Sequence, residues 1–238
     1  MICLMTAVKP VTEIDLGQIQ ANLAPVWARF DAIKDITQVK VLNAFKQAGI
    51  QNTHFSWVTG YGYDDLGKDK LDELYAAYFN TEAALVRPQL VSGTHAIASA
   101  IFGNLKSGDR LITVGKPYDT LQTVFDKWSE RFGIELVSLR AEGEAIQLTD
   151  FVGELDCFAN AHNDKGHDLY FIQRSRGYEW RDSHSLDHIE KLIKEIKSQN
   201  PQAIIFVDNC YGEFTQEREP TDIGADLIAG SLIKNPGG

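Results

Sequence analysis

The feature that most constrains the fold is a regular alternation of short apolar segments with longer helical segments from residue 84 onward. Buried strands are predicted at residues 84–86, 110–114, 134–139, 169–172, 203–208 and 226–230. Helices are predicted between several of these strands, at residues 94–105, 118–132 and 186–198, with a further helix at 148–160. This alternation is typical of a mostly parallel sheet covered by helices on both faces, so the sequence predicts an α/β fold.

The N-terminal part of the chain has a different pattern. Helices are predicted at residues 12–30, which open with a capping box at 12–15, and then at 37–49 and 69–80. Residues 56–67 are a glycine-rich segment with Trp57, Tyr61 and Tyr63, which is either a packed loop or part of a binding surface. We therefore divide the chain into an N-terminal helical arm with this loop, residues 1–68, and an α/β domain, residues 69–238.

Composition limits the kinds of partner. The net charge of −10, without a cluster of Lys and Arg, argues against binding to nucleic acid or to an anionic membrane. No segment approaches the ~18 apolar residues of a membrane span, and the N-terminus lacks the basic region of a signal peptide. Three widely spaced cysteines indicate a reducing compartment, so we expect a cytoplasmic protein with a small-molecule or protein partner.

No metal site is predicted. The cysteines lack the CxxC or Cys/His spacing that suits zinc. Four histidines lie in polar segments without an HExxH pattern and are interpreted as surface or turn residues: His162, His167, His184 and His188.

The start of the helix near residue 94 has the character of an anion site. Ser92, Gly93 and Thr94 combine free backbone N–H groups, a small residue and two hydroxyls at a helix N-terminus, which suits a phosphate. The alternative is that Ser92 or Thr94 only caps the helix. The chain has no GxxxxGK[ST] or GxGxxG pattern, so nothing favours a nucleoside triphosphate or a dinucleotide.

Further candidates follow other strands, where ligands bind in sheets of this kind. Tyr118 comes after the strand at 110–114 and either covers a planar ligand or is a core tyrosine. Asp208 ends an apolar strand, so its carboxylate needs a partner such as a protonated ring nitrogen, unless it only caps the turn. Arginines 174, 176 and 181 follow the strand at 169–172 and are either anion contacts or solvated loop charges.

The last apolar strand leads into Ser231-x-x-Lys234, in a turn rich in glycine and proline. An amine that loses solvent there becomes easier to deprotonate, as a Schiff-base nucleophile requires, although an ordinary loop lysine is the simpler interpretation. The chain stops at Gly238 without a terminal helix or strand, so we expect it to be a fragment of a longer polypeptide.

The order of these candidates resembles the fold-type I enzymes that use pyridoxal 5'-phosphate (PLP), and specifically the cystathionine and methionine lyases. The resemblance implies that Ser92, Gly93, Thr94 and Ser231 bind the phosphate and that Tyr118 stacks on the pyridine ring. It also implies that Asp208 holds the ring nitrogen and that Lys234 is the Schiff-base lysine. The fold expected is the large PLP-binding α/β domain of such enzymes, without their C-terminal small domain.

Four segments are similar to the methionine gamma-lyase-like proteins labelled aluminium resistance proteins: GYGYDDLG (60–67), RPQLVSGTH (87–95), QRSRGY (173–178) and SLIKNPGG (231–238). The resemblance implies a carbon–sulfur lyase acting on an amino acid, of the cystathionine beta-lyase or methionine gamma-lyase type. It also implies a homodimer or homotetramer in which Tyr61 or Tyr63 reaches the neighbouring subunit's site. The chain departs from the usual lyases in the loop between the tyrosine and the aspartate, where residues 174–180 are expected to contribute contacts of their own through Arg176.

Other functions compete with this one. Another PLP reaction, such as aminotransfer, would use the same residues. A cofactor-binding or dimerising module without turnover would explain the early end of the chain. A phosphosugar-binding or nucleotide-binding domain would explain Ser92, Gly93 and Thr94 but would leave Asp208 and Lys234 without a role.

Overall fold

The computed structural model describes residues 16–61, 65–139 and 166–235. Its helices are α1 (Leu16–Ala48), α2 (Leu66–Phe79), α3 (Gly93–Asn104), α4 (Asp119–Phe132) and α5 (Leu186–Gln199), with 3-10 turns at Asn52–Phe55 and Pro220–Ile223. Its strands are β1 (Arg110–Val114), β2 (Glu135–Leu139), β3 (Asp168–Gln173), β4 (Ile204–Asp208) and β5 (Leu227–Ala229). None of the helices in these three ranges is long and apolar enough to cross a membrane.

The strands form one parallel sheet in the order β2-β1-β3-β4-β5. The prediction of a mostly parallel sheet is therefore confirmed. All residues of β1 and β3 are buried, which explains why their apolar residues are consecutive rather than alternating, at 111–112 in β1 and 169–172 in β3. The register pairs Gln173 with Asp208 and Asp208 with Ala229, so the ends of β3, β4 and β5 lie side by side.

Helices cover both faces of the sheet. On one face, α5 packs its apolar stripe, including Ile189 and Ile193, against Tyr170 and Ile172 of β3. On the other face, α3 and α4 pack against the alternate residues of the same strands. Phe171 is central to that layer, with its ring 5.3 Å from Phe125 and 5.6 Å from Phe206, both edge-on. The period of two along each strand therefore divides the core into two layers.

The N-terminal helices pack on each other and on the α/β domain. The C-terminal end of α1 and the length of α2 share a small core that includes Ala44, Leu74 and Tyr78, against which Phe214 and Ile228 also pack. The proposed boundary at residue 68 stays a prediction.

Several predicted elements differ from those observed. The two helices expected at 12–30 and 37–49 are one continuous helix, α1, which includes Pro25. The loop expected to end at Gly67 ends earlier, because α2 begins at Leu66 and Asp65 caps it by accepting from the Lys68 N–H. The capping box at 12–15 and the helix at 148–160 lie outside the described residues.

The strand predicted at residues 84–86 is wrong. These residues are irregular, and the segment is bound to α2 instead of the sheet. The Val86 N–H donates to Asp72 Oδ1 over 2.8 Å, and Asp72 also accepts both terminal nitrogens of Arg87. A carboxylate with these three donors holds the segment away from the sheet edge.

Candidate functional site

The predicted ligand-binding residues meet at the carboxyl edge of the sheet, where the strands end. Tyr118 follows β1, Asp208 is the last residue of β4, and Lys234 lies in the turn after β5. Lys234 lies 26 residues after Asp208 (234 − 208), and because β4 and β5 are adjacent parallel strands, this stretch returns the chain to the same edge. The topology therefore brings these residues to one place.

Asp208 is a buried carboxyl group with 3% of its surface exposed. Its Oδ1 accepts the backbone N–H of Cys210 over 3.1 Å. Burial raises the pKa of this carboxyl to about 6, although the Cys210 N–H and the charge of Lys234 act in the opposite direction. A cation placed beside the buried carboxyl would favour its ionised form and so lower its pKa.

Lys234 is held in residues 231–235, which we call the lysine turn. Its N–H donates to the Ser231 carbonyl over 2.9 Å. The Nζ atom lies 3.0 Å from Cys210 Sγ and 4.1 Å from the centre of the Tyr211 ring. The lysine therefore points back toward the segment that follows Asp208.

The expected ease of deprotonation of Lys234 is not found in this arrangement. Loss of solvent lowers the pKa of the amine, but the contacts with Cys210 and Tyr211 raise it, and the net pKa is above the ordinary value. Burial also raises the pKa of the Cys210 thiol. The amine must leave Cys210 and Tyr211 before it becomes a good nucleophile.

The start of α3 and Tyr118 are joined by a hydrogen bond. The hydroxyl oxygens of Thr94 and Tyr118 lie 2.6 Å apart. Ser92 caps α3 by accepting the His95 N–H over 3.1 Å, as one of its two interpretations predicted. The space beside Gly93 is open, because a Cβ added there would meet no heavy atom within 4 Å. A ligand can therefore approach the backbone at this helix N-terminus.

Tyr61 and Arg176 form no hydrogen bond or ring contact with Asp208 or Lys234 in the part of the chain that the structure describes. The side chain of Tyr61 is largely exposed, and Tyr63 lies outside the described residues. Arg176 is exposed, with its guanidinium 5.3 Å from the centre of the Trp180 ring. The roles given to these three residues stay predictions.

Two arginines predicted as anion contacts or solvated charges instead stabilise loops. Arg174 is buried and donates to Asn209 Oδ1 over 2.6 Å, to the Gly212 carbonyl over 3.0 Å and to Gln216 Oε1 over 2.8 Å. Arg181 donates to the Ser175 carbonyl over 2.7 Å. The interpretation of Arg174 as a solvated loop charge is therefore wrong, since the side chain is buried and its nitrogens bind the protein's own loop.

Sequence reasoning missed Gln173 and Glu213. Gln173 accepts the Tyr118 N–H over 2.9 Å and donates to the Ser175 carbonyl, so it connects Tyr118 to the loop after β3. Glu213 is buried and accepts the Ser231 N–H over 2.8 Å. Gln173 opens the quoted segment QRSRGY (173–178), but the segment does not reveal its contact with Tyr118, and no quoted motif includes Glu213.

The interpretation of His184 as a surface or turn residue is wrong. Its side chain is buried and stacks on His188 with ring centres 4.9 Å apart. Burial lowers the pKa of His184 to about 3, and the charge of Arg181 adds to the effect. Within the described ranges, no group of three or more His, Cys, Asp or Glu residues could hold a metal ion.

Comparisons with known proteins agree with the geometry. The family model for methionine gamma-lyase matches residues 13–238. The uncharacterized protein YnbB of Bacillus subtilis (strain 168) is 44% identical over 223 residues, which are 93% of this chain and 53% of YnbB. The chain thus spans about half the length of this relative.

Solved structures give the same result. A Listeria monocytogenes protein, provisionally named a cystathionine beta-lyase involved in aluminum resistance, superposes with a TM-score of 0.84 at 40% sequence identity. The match covers 92% of this chain and 56% of the Listeria chain. A Campylobacter jejuni protein also superposes, with a TM-score of 0.50 at 20% sequence identity, over 71% of this chain and 36% of the Campylobacter chain. It is provisionally named an O-acetylhomoserine (thiol)-lyase and carries a pyridoxyl-lysine monophosphate. The second likeness shows a shared fold, that of the fold-type I PLP-dependent enzymes, as predicted. The family match and the close relatives together show that the chain belongs to the methionine gamma-lyase family.

Proposed function

We propose that this chain binds PLP and forms the cofactor-binding part of a carbon–sulfur lyase that acts on amino acids. The observation that carries this proposal is the meeting of the buried Asp208 carboxyl and the Lys234 amine at one edge of a parallel sheet. The methionine gamma-lyase family match and the lyase names of the relatives support it. The proposal of a PLP–lysine linkage gains support from the pyridoxyl-lysine in the Campylobacter jejuni protein.

The residues at this edge fit the cofactor. The open backbone at Gly93, with the hydroxyls of Ser92 and Thr94, suits a phosphate at a helix N-terminus. Ser231 would add a further phosphate contact. The ring of Tyr118 would cover the pyridine, and Lys234 would hold the aldehyde carbon through its amine.

Asp208 would pair with the pyridine nitrogen. The carboxyl is buried and its pKa is raised, so a neighbouring cation would stabilise its ionised form and lower that pKa again. When bound, PLP supplies an electron sink that stabilises negative charge at the substrate's alpha carbon. A carboxylate fixed beside the ring nitrogen keeps that nitrogen protonated and so maintains this property.

Lys234 would also move the proton of the substrate's alpha carbon. Only the neutral amine can accept that proton, and the contacts with Cys210 and Tyr211 oppose this form because they raise the pKa of Lys234. Departure of a sulfur group from the beta or gamma carbon then gives the lyase reaction. Aminotransfer is the near alternative, because it begins with the same proton transfer.

A second candidate is cofactor binding without turnover by these 238 residues. The observation that favours it is that the chain spans about half the length of its relatives, 53% in YnbB. We also propose a homodimer or homotetramer, cytoplasmic as expected from composition. The exposed apolar residues along the first half of α1 support self-association: Leu16, Ile19, Leu23, Val26, Trp27 and Phe30.

The first experiment is a visible absorption spectrum with added PLP, before and after borohydride, followed by peptide mass mapping. We expect a yellow species that borohydride fixes on Lys234, and no such species in Lys234→Ala. Lys116→Ala is the matched control, because Lys116 also follows a strand at this edge. A protein that stays colourless, or a label on other lysines alone, would refute the proposal.

Turnover is measured separately, as 2-oxo acid released from L-cystathionine and from L-methionine. Release by the wild type and none by Lys234→Ala supports the lyase. Trapping at Lys234 without release supports the second candidate.

A further inference from the structure

Both ends of the lysine turn are bound by one residue, Glu213. The Ser231 N–H, at the start of the turn, donates to Glu213 Oε1 over 2.8 Å. Asn235 Nδ2, at the end of the turn, donates to the Glu213 carbonyl oxygen over 3.1 Å. Lys234 lies between these two anchors, so Glu213 restrains the backbone that carries the amine.

The Glu213 side chain is packed as well as hydrogen-bonded. It is 3% exposed, and a Cβ added to Gly230 would lie 2.5 Å from Glu213 Oε1 and 3.1 Å from its Cγ. The carboxylate therefore lies directly against the backbone at the end of β5, at a position where a larger residue does not fit. Such close contact fixes the direction in which the chain leaves the strand.

The loop that carries Glu213, residues 209–219, is itself restrained from both sides. Arg174 donates to the Gly212 carbonyl, and the Phe214 N–H donates to Glu219 Oε1 over 2.9 Å. Tyr211 and Phe214 have φ angles of 73° and 62°, a left-handed conformation that such residues rarely adopt without support. Glu213 lies between them and is held in one position by this restrained backbone.

We propose that Glu213 is a positioning residue that holds the lysine turn so that the Lys234 amine faces the cofactor site. Glu213 acts through the Ser231 backbone N–H and the Asn235 side-chain amide, and it does not touch the reacting atoms. The role of the positioned amine rests on the proposed function, whereas the anchoring of the turn by Glu213 can be measured without the cofactor.

The test compares three variants of the full 238-residue chain. Glu213→Ala removes the acceptor of the Ser231 N–H, whereas Glu213→Gln keeps an acceptor oxygen and removes the charge. Glu217→Ala is the matched control, because Glu217 is an exposed glutamate in the same loop whose side chain does not contact the turn. Far-UV circular dichroism and thermal melting establish that each variant is folded.

The first readout is hydrogen exchange of the Ser231 amide without PLP. We expect exchange about tenfold faster in Glu213→Ala, as for the loss of one hydrogen bond to a charged group, and near wild-type exchange in Glu213→Gln and Glu217→Ala. Unchanged exchange in Glu213→Ala overturns the inference. Equally fast exchange in Glu213→Gln also overturns it, because charge and not the hydrogen bond would then hold the turn.

The second readout is the rate at which PLP and cyanoborohydride label Lys234, measured by peptide mass against the exposed Lys194 as an internal reference. The Lys234 rate should fall about tenfold in Glu213→Ala and stay within about threefold of wild type in Glu213→Gln. A normal labelling rate in Glu213→Ala overturns the positioning role while the proposed function stands. If wild-type Lys234 is not labelled, the proposed function fails, and the exchange of Ser231 still decides whether Glu213 anchors the turn.

If Glu213→Ala does not fold, Asn235→Ala takes its place, since it removes the second anchor without disturbing the buried carboxylate. A roughly threefold slower labelling of Lys234 is then expected, in line with one neutral hydrogen bond. Wild-type labelling in Asn235→Ala contradicts the inference.

Discussion

The Asp208 carboxyl should make the cofactor-free protein less stable at neutral pH than an uncharged side chain of the same shape. Asp208 is 3% exposed, and burial raises its pKa from 3.8 to about 6. Asn has nearly the shape of a protonated aspartic acid, and its oxygen can still accept the Cys210 N–H. We therefore expect Asp208→Asn to raise the free energy of unfolding when no PLP is bound.

The magnitude follows from the two pKa values. A carboxyl with a higher pKa in the folded state contributes its full stability below pH 3.8, and this stability is lost as the pH rises through about 6. The shift of roughly two units corresponds to about 3 kcal/mol at pH 7.5 and to roughly half that value at about pH 5. For a chain of this size, 3 kcal/mol is a rise of about 6–12 °C in the melting temperature.

The assay is urea unfolding of wild type and Asp208→Asn at both pH values, after removal of PLP. The control is Asp168→Asn, because Asp168 accepts from Arg110 over 2.7 Å and its loss should destabilise the protein at neutral pH. A destabilised Asp208→Asn at pH 7.5, or a gain that does not shrink near pH 5, would refute the reasoning. Weaker PLP binding by the same variant is the expected functional cost.

Three further predictions concern other described residues. Tyr118→Phe, which loses the bond to the Thr94 hydroxyl, should weaken PLP binding about tenfold or less in an absorbance titration. Tyr118→Ala should weaken it about tenfold more, and equal affinities of the two variants would show that the ring does not stack. Gly230→Ala should lower the free energy of unfolding by about 1–3 kcal/mol in urea, because of the contact 2.5 Å from a buried carboxylate oxygen. Gly103→Ala, in a helix with open space, should not destabilise, and equal losses in both would exclude a packing cause. The neutral His184 ring contributes stability that is fully present above pH 6.5 and is lost as the pH falls toward 3. The free energy of unfolding, measured in urea, should therefore fall between pH 7.5 and 5 by about 2 kcal/mol less in His184→Phe than in wild type. The same pH dependence in both proteins would contradict the burial of His184 as a neutral ring.

The α/β domain could be predicted from the sequence where burial acts on both faces of an element. β1 and β3 contain consecutive apolar residues because helices cover both sides of the sheet, so their positions were predictable. The segment 84–86 has the same local pattern but lies beside α2, because Asp72 binds Val86 and Arg87. Local apolarity does not reveal such a contact between residues 14 apart.

The candidate site was predictable only for polar residues that lie at or just after the end of a strand. Asp208 and Lys234 follow adjacent strands, and the parallel order brings them to one edge. The roles of Arg174 and Glu213 were not predictable, since an arginine and a glutamate in polar segments are usually solvated. Their burial depends on the fold of residues 209–219, which no pattern in the sequence specifies.

The loop between β4 and β5 connects two residues of the candidate site, Asp208 and Lys234. Asp208 is buried at the end of β4, and burial makes its ionised form unfavourable when no cation lies beside it. The next residues compensate by forming rigid contacts: Arg174 binds the backbone at Gly212, and Glu213 binds the lysine turn. The segment 208–219 thus contains the Asp208 carboxyl, whose ionised form is unfavourable, and also restrains the turn that carries Lys234. Loosening this loop should therefore reduce cofactor capture at Lys234 before it reduces the stability of the sheet, because β1 and β3 do not depend on it.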